Sequence, residues 1–407
     1  MILRAKWVVP MRQPPVADGA VVVDGDRIVA VGPVEAIRQT HTEAVRDLGE
    51  AVLLPGLINA HTHLDYTDFL GQVPHRGSFM DWIVRMAERK QTMTDDQYRA
   101  AVEKGLALAR AAGTTTLVNV ECSLPVITRV DTGGLRVWWC AELLDWRAPR
   151  PVVELVQEAV AVGENRDAAG GGFGLAPHAL YTASAELYRL SAFMARGRQW
   201  LITTHVAESR EEDDMFRRGT GLMYERYSRL GRSMTDCKHA GPVQLLDRYG
   251  FLGPECLAVH VNCVTPLEVK LLAATQTSVV HCPMTHRFFH RPTPILDALQ
   301  NAGVNVCLGT DSLASCPGPQ GLNLFVEMQE LARIFPRMEP ARILEMVTVN
   351  PARALRRAHW LGHIAPGAAA DLVAVAAEGN GIDPYEAAVF NERPVLFSMV
   401  NGKVVRG

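Results

Sequence analysis

Four side chains able to bind a metal ion stand directly after short apolar or β-branched segments of this chain. They are His61, His63, His205 and Asp311. Residues two apart in a β-strand point to the same side, so His61 and His63 can face one ion. Imidazole and carboxylate ligands suit one divalent ion, with Zn²⁺ favoured and Fe²⁺ as the alternative. Three histidines and one aspartate leave a position for water, which indicates a catalytic metal site.

Each of these four side chains also has a plain structural interpretation. A lone His-x-His pair is more often structural or incidental, and a carboxylate after a strand can merely cap the next helix. Here the pair closes the segment Pro55-Gly-Leu-Ile-Asn-Ala-His-Thr-His63, and the other two side chains close strand-like segments of their own. The combination favours metal ligation, with Asp311 acting as both ligand and proton acceptor.

Three further histidines also stand at the ends of strand-like segments: His178, His260 and His281. Taken singly, each would more often be a core histidine whose ring nitrogens are satisfied by neighbours. Three of them at the ends of neighbouring or nearby strands favour a functional interpretation. We therefore expect His260 to be catalytic and His178 and His281 to contact the substrate.

Three carboxylates follow His205 closely in the sequence. Glu208 lies three residues after it, where its side chain can reach a substrate beside the metal without binding the ion. The alternative is a helix N-terminal carboxylate that complements the helix dipole, and this is the favoured interpretation of Glu211 and Glu212. Glu208 is expected to act in general acid–base catalysis.

The central part of the chain alternates strand-like and helix-like segments, which predicts repeated βα units and a parallel sheet. The candidate strands are 52–60, 114–121, 135–142, 172–178, 200–206, 256–262, 277–282 and 304–310. A doubly wound sheet would bring only some of these strand ends together. An α/β fold of the (β/α)₈ TIM barrel type brings all eight ends to one mouth, and the positions of the candidate ligands favour it.

The two ends of the chain differ from this central part. Residues 18–32 read as a hairpin around Asp24-Gly25, and 395–405 read as a second hairpin around Asn401-Gly402. Together they predict a small β-sandwich built from both termini. The expected domains are residues 1–50 with 365–407 for the sandwich and 51–364 for the barrel.

The amino-acid composition and net charge disfavour some classes of function. The chain has 407 residues, 48% of them hydrophobic and 21% charged, with a formal net charge of −3. No electrostatic footprint for nucleic acid or an anionic membrane is expected, so the predicted partner is a small-molecule substrate. The eight cysteines show no metal-binding or disulfide spacing, which indicates free thiols in a reducing cytoplasm. No signal peptide or membrane span is recognised.

Taken together, the motifs resemble the amidohydrolase superfamily, and within it the metal-dependent deaminases of adenine-type nucleosides. The motifs that carry the resemblance are Pro55-Gly-Leu-Ile-Asn-Ala-His-Thr-His63, His205-Val-Ala-Glu208, Val259-His260, Val280-His-Cys-Pro283 and Gly309-Thr-Asp-Ser312. The resemblance implies hydrolytic release of ammonia, with Asp311 taking a proton from water, Glu208 protonating the ring nitrogen and His260 hydrogen-bonding the attacking oxygen. It also implies a homodimer.

The positions of the few lysines in this chain indicate how many metal ions the site holds. Two-metal members of the superfamily use a carbamylated lysine or a bridging glutamate on a middle strand. The lysines of this chain are Lys6, Lys90, Lys104, Lys238, Lys270 and Lys403, and none ends a predicted barrel strand. Glu142 is the one carboxylate at a suitable strand end. We expect a single metal ion and assign Glu142 to substrate binding.

The substrate is indicated less sharply than the chemistry. The motif details are most similar to the aminodeoxyfutalosine deaminase branch, with deaminases of S-adenosylhomocysteine, methylthioadenosine or adenosine as alternatives. The long segment 67–82 is expected to form a substrate wall, with Trp82 and Phe79 stacking on a base; alternatively, Trp82 is the first core residue of a helix. A triazine chlorohydrolase or another amidohydrolase is a second enzyme class, and a non-catalytic scaffold is the third possibility.

Overall fold

The computed structural model describes residues 1–147, 150–166, 171–318, 320–377, 379 and 381–406. The strands are β1 (Ile2–Val8), β2 (Val16–Asp24), β3 (Arg27–Pro33), β4 (Val45–Asp47), β5 (Ala51–Pro55), β6 (Leu57–Thr62), β7 (Thr114–Glu121), β8 (Arg136–Leu143), β9 (Gly172–Pro177), β10 (Leu201–Val206), β11 (Cys256–His260), β12 (Ser278–His281), β13 (Val306–Leu308), β14 (Leu372–Ala376), β15 (Phe397–Val400) and β16 (Lys403–Arg406).

Helices connect most of the strands in the central part of the chain. They are α1 (Val34–Thr40), α2 (Phe79–Lys90), α3 (Asp95–Ala111), α4 (Leu124–Arg129), α5 (Val152–Glu164), α6 (Ala185–Arg196), α7 (Arg210–Asp213), α8 (Gly221–Arg229), α9 (Pro242–Arg248), α10 (Pro266–Ala274), α11 (Pro283–Phe288), α12 (Leu296–Asn301), α13 (Leu324–Ile334), α14 (Pro340–Glu345), α15 (Val349–Ala354) and α16 (Pro384–Val389). Shorter helical turns lie at Leu64–Phe69, Asp214–Arg218 and Leu313–Ser315.

The predicted barrel is confirmed. Within the described ranges, β6 to β13 form one eight-stranded sheet in which each strand pairs in parallel with the next along the chain. Helices lie between consecutive strands, as parallel crossovers require. The carboxyl ends of all eight strands therefore open to the same side, where TIM barrels carry their catalytic groups.

The first and last barrel strands meet at their carboxyl ends. Thr62 pairs with Asp311, and the backbone N–H of Thr310 donates to the His61 carbonyl over 3.0 Å. The Asn59 amide donates to the Thr310 hydroxyl over 2.8 Å inside the core. Barrel closure thus joins the segment that carries His61 to the segment that carries Asp311.

Both termini build the second sheet, as expected. It runs β16-β15-β14-β5-β1-β2-β3, and β4 pairs with β1. One buried apolar cluster contains Val21 from β2 together with Leu372 and Phe397 from β14 and β15. Because strands from opposite ends of the sheet share this core, the sheet folds back over itself.

The strand predicted over 52–60 is wrong in one respect, because two strands occupy it. Ala51–Pro55 pairs with β1 and β14 in the terminal sheet, whereas Leu57–Thr62 begins the barrel. Gly56 separates them, and a Cβ there would lie 2.2 Å from the Thr115 hydroxyl oxygen. The change of sheet is easily missed, because both halves are apolar and buried, although the Pro55-Gly56 pair is a local sign of it.

Two expectations about the rest of the chain can be compared with the structure. All eight cysteines are free, as predicted. Among the described helices, none combines the length and apolar character needed to cross a membrane.

Candidate active site

The barrel mouth brings together three histidines from two strand ends. His61 and His63 extend from β6, and His205 extends from β10. The Nε2 atoms of His63 and His205 lie 3.1 Å apart, and the His61 ring centroid lies 4.9 Å and 5.0 Å from theirs. All three side chains are buried. The predicted His triad is therefore assembled in the fold.

His205 is held in one ring orientation by the neighbouring strand end. Its Nδ1 lies 2.9 Å from the carbonyl oxygen of His178, which also accepts the backbone N–H of His205 over 2.9 Å. A proton on Nδ1 is fixed by this contact, so Nε2 keeps its lone pair toward His63. Fixing the free nitrogen in this way is typical of a metal-binding histidine.

Asp311 completes the group from the end of β13. Its Oδ1 lies 3.7 Å from His61 Nε2, and its Oδ2 lies 4.0 Å from His260 Nε2. The Ser315 hydroxyl donates to Oδ2 over 3.3 Å. One potential ligand atom from each of His61, His63 and Asp311 lies within 4.8 Å of the others, and the same holds for His61, His205 and His260.

The backbone at these strand ends is strained. His260 and Asp311 have φ of 74° and 51°, and Ala207, two residues after His205, has φ of 51°. Side chains other than glycine rarely take this left-handed conformation, which costs of order 1–3 kcal/mol per residue. Strain at three neighbouring strand ends indicates that the barrel mouth is arranged for function.

The residues present fit a divalent ion. Both ring nitrogens of His61 are buried without a hydrogen-bond partner among the described residues. Burial lowers the pKa of His63 to about 3, with the nearby His61 acting in the same direction, and burial lowers the pKa of His205 well below its usual value. For Asp311, burial raises the pKa, but the contacts with His61 and His260 outweigh it and hold the pKa below its usual range. Neutral imidazoles and an ionised carboxylate are the forms that bind metal.

Glu208 stands beside this cluster as a buried carboxyl. Its Oε2 lies 3.8 Å from His260 Nε2. Burial raises the pKa of Glu208 to about 8, although Arg291 opposes the shift. A carboxyl that keeps its proton near neutral pH suits a general acid. His260 is also buried, and burial lowers its pKa to about 3, so its ring is neutral at this position.

Glu211 and Glu212 do more than complement the dipole of their own helix, because both accept backbone N–H groups from outside it. The Glu212 carboxylate accepts the backbone N–H groups of Ala207 and Glu208 over 3.1 Å and 2.7 Å, which supports the strained bend at Ala207. The Glu211 carboxylate accepts the N–H groups of Phe79 and Met80 over 2.9 Å and 3.0 Å. It therefore caps α2, a helix of the cavity wall, rather than α7.

A cavity of about 370 Å³ opens from the histidine cluster. That size is in the range of sites for small molecules. Its wall combines the catalytic groups with aromatic and apolar side chains. The lining residues include His63, Tyr66, Phe79, Trp82, Met86, Lys90, Cys122, Glu142, Trp146, His178, Tyr181, His205, Glu208, Tyr227, His260, Phe289 and Asp311.

The segment expected to form a substrate wall does so partly as a helix. Phe79 begins α2, and Trp82 lies in its first turn. Both line the cavity, and the Trp82 indole donates to the Val73 carbonyl over 2.9 Å. The ring of Phe289 packs at right angles against Trp82 with centroids 5.0 Å apart. Trp82 thus is a packed helix residue that also faces the cavity.

One wall of the cavity carries a buried charge cluster that the sequence did not indicate. Lys90 reaches it from the last turn of α2, with Nζ 2.6 Å from the Tyr66 hydroxyl, 3.5 Å from Glu142 Oε2 and 3.6 Å from Asp65 Oδ2. Burial raises the pKa of Glu142, but Lys90 and His178 outweigh it and lower the pKa to about 2. Glu142 Oε1 is buried with no hydrogen-bond partner in the described part of the chain.

The remaining predicted contacts lie in different surroundings. His178 lines the cavity, and its Nδ1 lies 2.7 Å from the Thr182 hydroxyl. His281 is buried behind this wall, with its ring centroid 5.1 Å from that of His286. It is absent from the described cavity lining, and its Nε2 has no hydrogen-bond partner among the described residues.

Comparison with known proteins decides the family. The sequence model of the amidohydrolase family matches residues 52–405, and an imidazolonepropionase-like composite domain from bacteria matches residues 19–44. The chain belongs to the amidohydrolase family. The fold and the enzyme class expected from the sequence, a hydrolase of carbon–nitrogen bonds, agree with this membership.

The curated relatives are deaminases. The chain is 29% identical to the 5-methylthioadenosine/S-adenosylhomocysteine deaminase of Nitratidesulfovibrio vulgaris (strain Miyazaki F), over 96% of this chain and 86% of the relative. It is 28% identical to the aminodeoxyfutalosine deaminase of Deinococcus radiodurans, over 82% of this chain and 80% of the relative.

Solved structures share the whole fold. A zinc-bound adenosine deaminase from Xanthomonas campestris superposes with a TM-score of 0.85 at 25% identity, covering all of this chain and 92% of that one. The zinc complex of the atrazine chlorohydrolase TrzN from Arthrobacter aurescens gives a TM-score of 0.81 at 20% identity, covering all of this chain and 95% of that one. The second likeness concerns the fold alone.

Proposed function

We propose that this amidohydrolase removes the exocyclic amine of an adenine-type nucleoside by hydrolysis, with 6-amino-6-deoxyfutalosine as the preferred substrate. The observation that carries the proposal is the buried Glu208 carboxyl, which faces His260 in a cavity of nucleoside size, while His260 in turn faces Asp311. Adenine deamination needs an acid for the ring nitrogen and a base for the attacking water. The deaminase names of the relatives support the same reaction.

His61, His63, His205 and Asp311 would hold one divalent ion, and the imidazole-rich donor set favours zinc. When bound, the ion supplies Lewis-acid activation of water at neutral pH. Glu142 lies outside the ligand clusters of the described residues and pairs with Lys90 instead, which supports a site for one ion.

The proton steps belong to side chains of this chain. Asp311 accepts a proton from the attacking water at Oδ2, the oxygen that faces His260. Glu208 donates its proton to the ring nitrogen next to the reacting carbon, so that negative charge does not build up on the ring. His260 Nε2 lies between these two carboxyl groups, at 3.8 Å and 4.0 Å, and orients the attacking oxygen. The proton from Asp311 then passes to the amine, and the carbon–nitrogen bond breaks to release ammonia. The second proton of the attacking water returns to Glu208 as the carbonyl forms, which restores the acid.

The cavity walls support binding of a base with a sugar. Trp82 and Phe79 provide an aromatic wall beside the catalytic groups, where a purine can stack. Lys90 keeps Glu142 ionised, and the free Oε1 offers an acceptor for a sugar hydroxyl. His178, in the wall next to His205, is assigned to the base. His281 was also expected to contact the substrate, but it lies outside the described cavity lining, so we assign no substrate contact to it.

A hydrolytic dehalogenase is the second candidate, since a triazine chlorohydrolase shares the fold. Such a reaction does not need protonation of the ring by Glu208. The placement of Glu208 beside His260 therefore favours deamination. A non-catalytic scaffold is disfavoured, because all the ligand and proton-transfer side chains meet at one barrel mouth.

The experiment is a release assay on the purified, zinc-loaded protein with ammonia and chloride as the two readouts. The panel contains 6-amino-6-deoxyfutalosine, S-adenosylhomocysteine, methylthioadenosine, adenosine, guanine and a chlorotriazine. Ammonia from an adenine-type nucleoside, fastest with aminodeoxyfutalosine, supports the proposal. Chloride from the triazine without ammonia from any nucleoside overturns it. Light scattering on the same sample tests the proposed homodimer.

A further inference from the structure

Arg291 lies directly behind the catalytic acid. Its Nη2 is 3.4 Å from Glu208 Oε1, and the two side chains are only 11% and 7% exposed. The guanidinium carbon stands 4.8 Å from the ring centroid of Phe79 and 4.9 Å from that of Phe289. The guanidinium therefore packs against two aromatic rings that also contact each other, from two different segments of the cavity wall, with one edge against Glu208.

The rest of Glu208 is fixed as well. Its backbone N–H donates to Glu212 Oε2 over 2.7 Å, and its carbonyl accepts from the Asn262 amide over 3.1 Å. The two carboxyl oxygens then face different neighbours, Oε1 toward Arg291 and Oε2 toward His260. A carboxyl oxygen that faces a guanidinium is an acceptor, so the proton belongs on the other oxygen.

We propose that Arg291 is a positioning residue that directs the proton of Glu208 to Oε2 and compensates the charge that Glu208 acquires during catalysis. The inference rests on the proposed deamination. In that step the O–H bond at Oε2 breaks, an N–H bond forms at the substrate ring nitrogen, and the Glu208 carboxyl becomes a carboxylate. No atom of Arg291 is transferred.

The burial of Glu208 explains why Arg291 should have a large effect on catalysis. A carboxylate formed in a buried site loses the water that would stabilise it, and a guanidinium in contact replaces that stabilisation. Among the described residues, Arg291 is the one arginine or lysine within 4 Å of the Glu208 carboxyl. The interaction strengthens as the proton leaves, so it acts on the transition state more than on substrate binding.

The test compares Arg291→Met, Arg291→Lys and the control Arg287→Met. Arg287 lies on the same segment, but its side chain is 55% exposed and pairs with Glu330. With the fastest substrate of the release panel, Arg291→Met should lower kcat about 100-fold and leave KM within about 3-fold, as for a misplaced catalytic group. Added guanidinium ion, at concentrations that leave the fold intact, should restore part of kcat. The kcat of Arg291→Lys should lie between those of Arg291→Met and the wild type, and the kcat of Arg287→Met should match that of the wild type.

Wild-type kcat in Arg291→Met overturns the inference, as does a loss of kcat that guanidinium and lysine both fail to restore. A wild-type protein that releases no ammonia from any nucleoside would instead count against the proposed function. In that case the inference is decided by crystal structures of the wild type and Arg291→Met. The carboxyl of Glu208 should keep one orientation with arginine present and turn away from His260 in the variant; an unchanged carboxyl contradicts the inference.

Discussion

The Nε2 atoms of His63 and His205 face each other across 3.1 Å at the centre of the barrel mouth. The proton of His205 is held on the opposite ring nitrogen by the carbonyl oxygen of His178. A lone pair directed at a second imidazole, in a site that keeps both rings neutral, is an arrangement that a cation stabilises. The histidines proposed as metal ligands are therefore oriented by the fold before any ion binds.

Replacement of one ligand should remove the metal. His205→Ala is expected to weaken zinc affinity by about 100-fold or more, because even partners that only orient a ligand are worth 10–100-fold. The measurement is zinc content per chain by elemental mass spectrometry after dialysis against a weak chelator. His41→Ala, at a surface contact with Glu43, is the control and should retain the wild-type zinc content. Equal zinc in both variants would remove His205 from the ligand set.

Loss of the acid should separate chemistry from metal binding. Glu208→Gln keeps the shape of the side chain but cannot give up a proton, so kcat should fall by about 10²–10⁴-fold with zinc content unchanged. Steady-state ammonia release and elemental analysis on the same sample provide the measurement. Glu225→Gln, an exposed partner of Arg229, serves as the matched control. Near-normal turnover of Glu208→Gln would exclude this residue from the mechanism.

The raised pKa of Glu208 predicts a pH-dependent stability difference. In the metal-free protein this pKa is about 8, whereas an unfolded glutamate titrates near ~4.3. The folded state holds the extra proton, so this stabilisation is present below pH ~4 and is lost as the pH rises toward 8. The glutamine of the Glu208→Gln variant does not titrate, so the variant does not lose stability in this way as the pH rises. Its stability relative to the wild type should increase between pH 5 and 8 by up to about 1.4 kcal/mol per pH unit, then level off. Urea unfolding at each pH measures it, and a constant difference contradicts the assignment.

Glu212 should contribute more to stability than Glu211. Its carboxylate is the partner of two buried N–H groups at the strained bend of residues 207–208. Glu212→Ala should lower the free energy of unfolding by about 2 kcal/mol and reduce kcat, because buried donors are left unsatisfied. Glu211→Ala removes a helix cap on α2 and should cost about 1 kcal/mol. Urea unfolding of both variants provides the comparison; equal costs would mean that the bend does not depend on Glu212.

Glu142 should distinguish nucleosides from free bases. If its free Oε1 accepts a sugar hydroxyl, Glu142→Ala should lower kcat/KM for the riboside about 10–100-fold, the range for a hydrogen bond to a charged group. The same variant should change kcat/KM for free adenine little. Glu103→Ala, on the exposed face of α3, is the control for a lost surface charge. An equal effect on riboside and base would assign Glu142 and Lys90 a structural role only.

Much of the fold follows from patterns that stay local. Alternating apolar runs and helical segments gave the eight barrel strands within a few residues, and the Asp24-Gly25 and Asn401-Gly402 turns gave the two terminal hairpins. The change of sheet at Gly56 was missed, because both halves of the segment are apolar and the close approach of Thr115 from β7 is not visible in the sequence; the Pro55-Gly56 pair is a local sign of it. A helix at Trp82 was one of two alternatives, and the local Ser78 cap favours it, whereas the contact of Glu211 with the first turn of α2 comes from a distant segment.

The proposed metal ligands could be predicted from the sequence, whereas the charged side chains of the cavity wall could not. The positions of the ligands are set by strand ends, which the barrel brings together by topology alone. Lys90 and Arg291 reach the site from a helix and a loop, through long side chains directed by packing against Tyr66, Phe79 and Phe289. No sequence spacing signals such contacts.

The measurement that tests the central claim most directly is zinc titration of the metal-free protein with ammonia release as the readout. The substrate is the riboside that reacts fastest in the release panel. We expect no ammonia without metal, a linear rise to a maximum at one zinc per chain, and a product in which oxygen has replaced the exocyclic amine. Full activity in the metal-free protein, or a product that still carries the amine, would contradict this expectation.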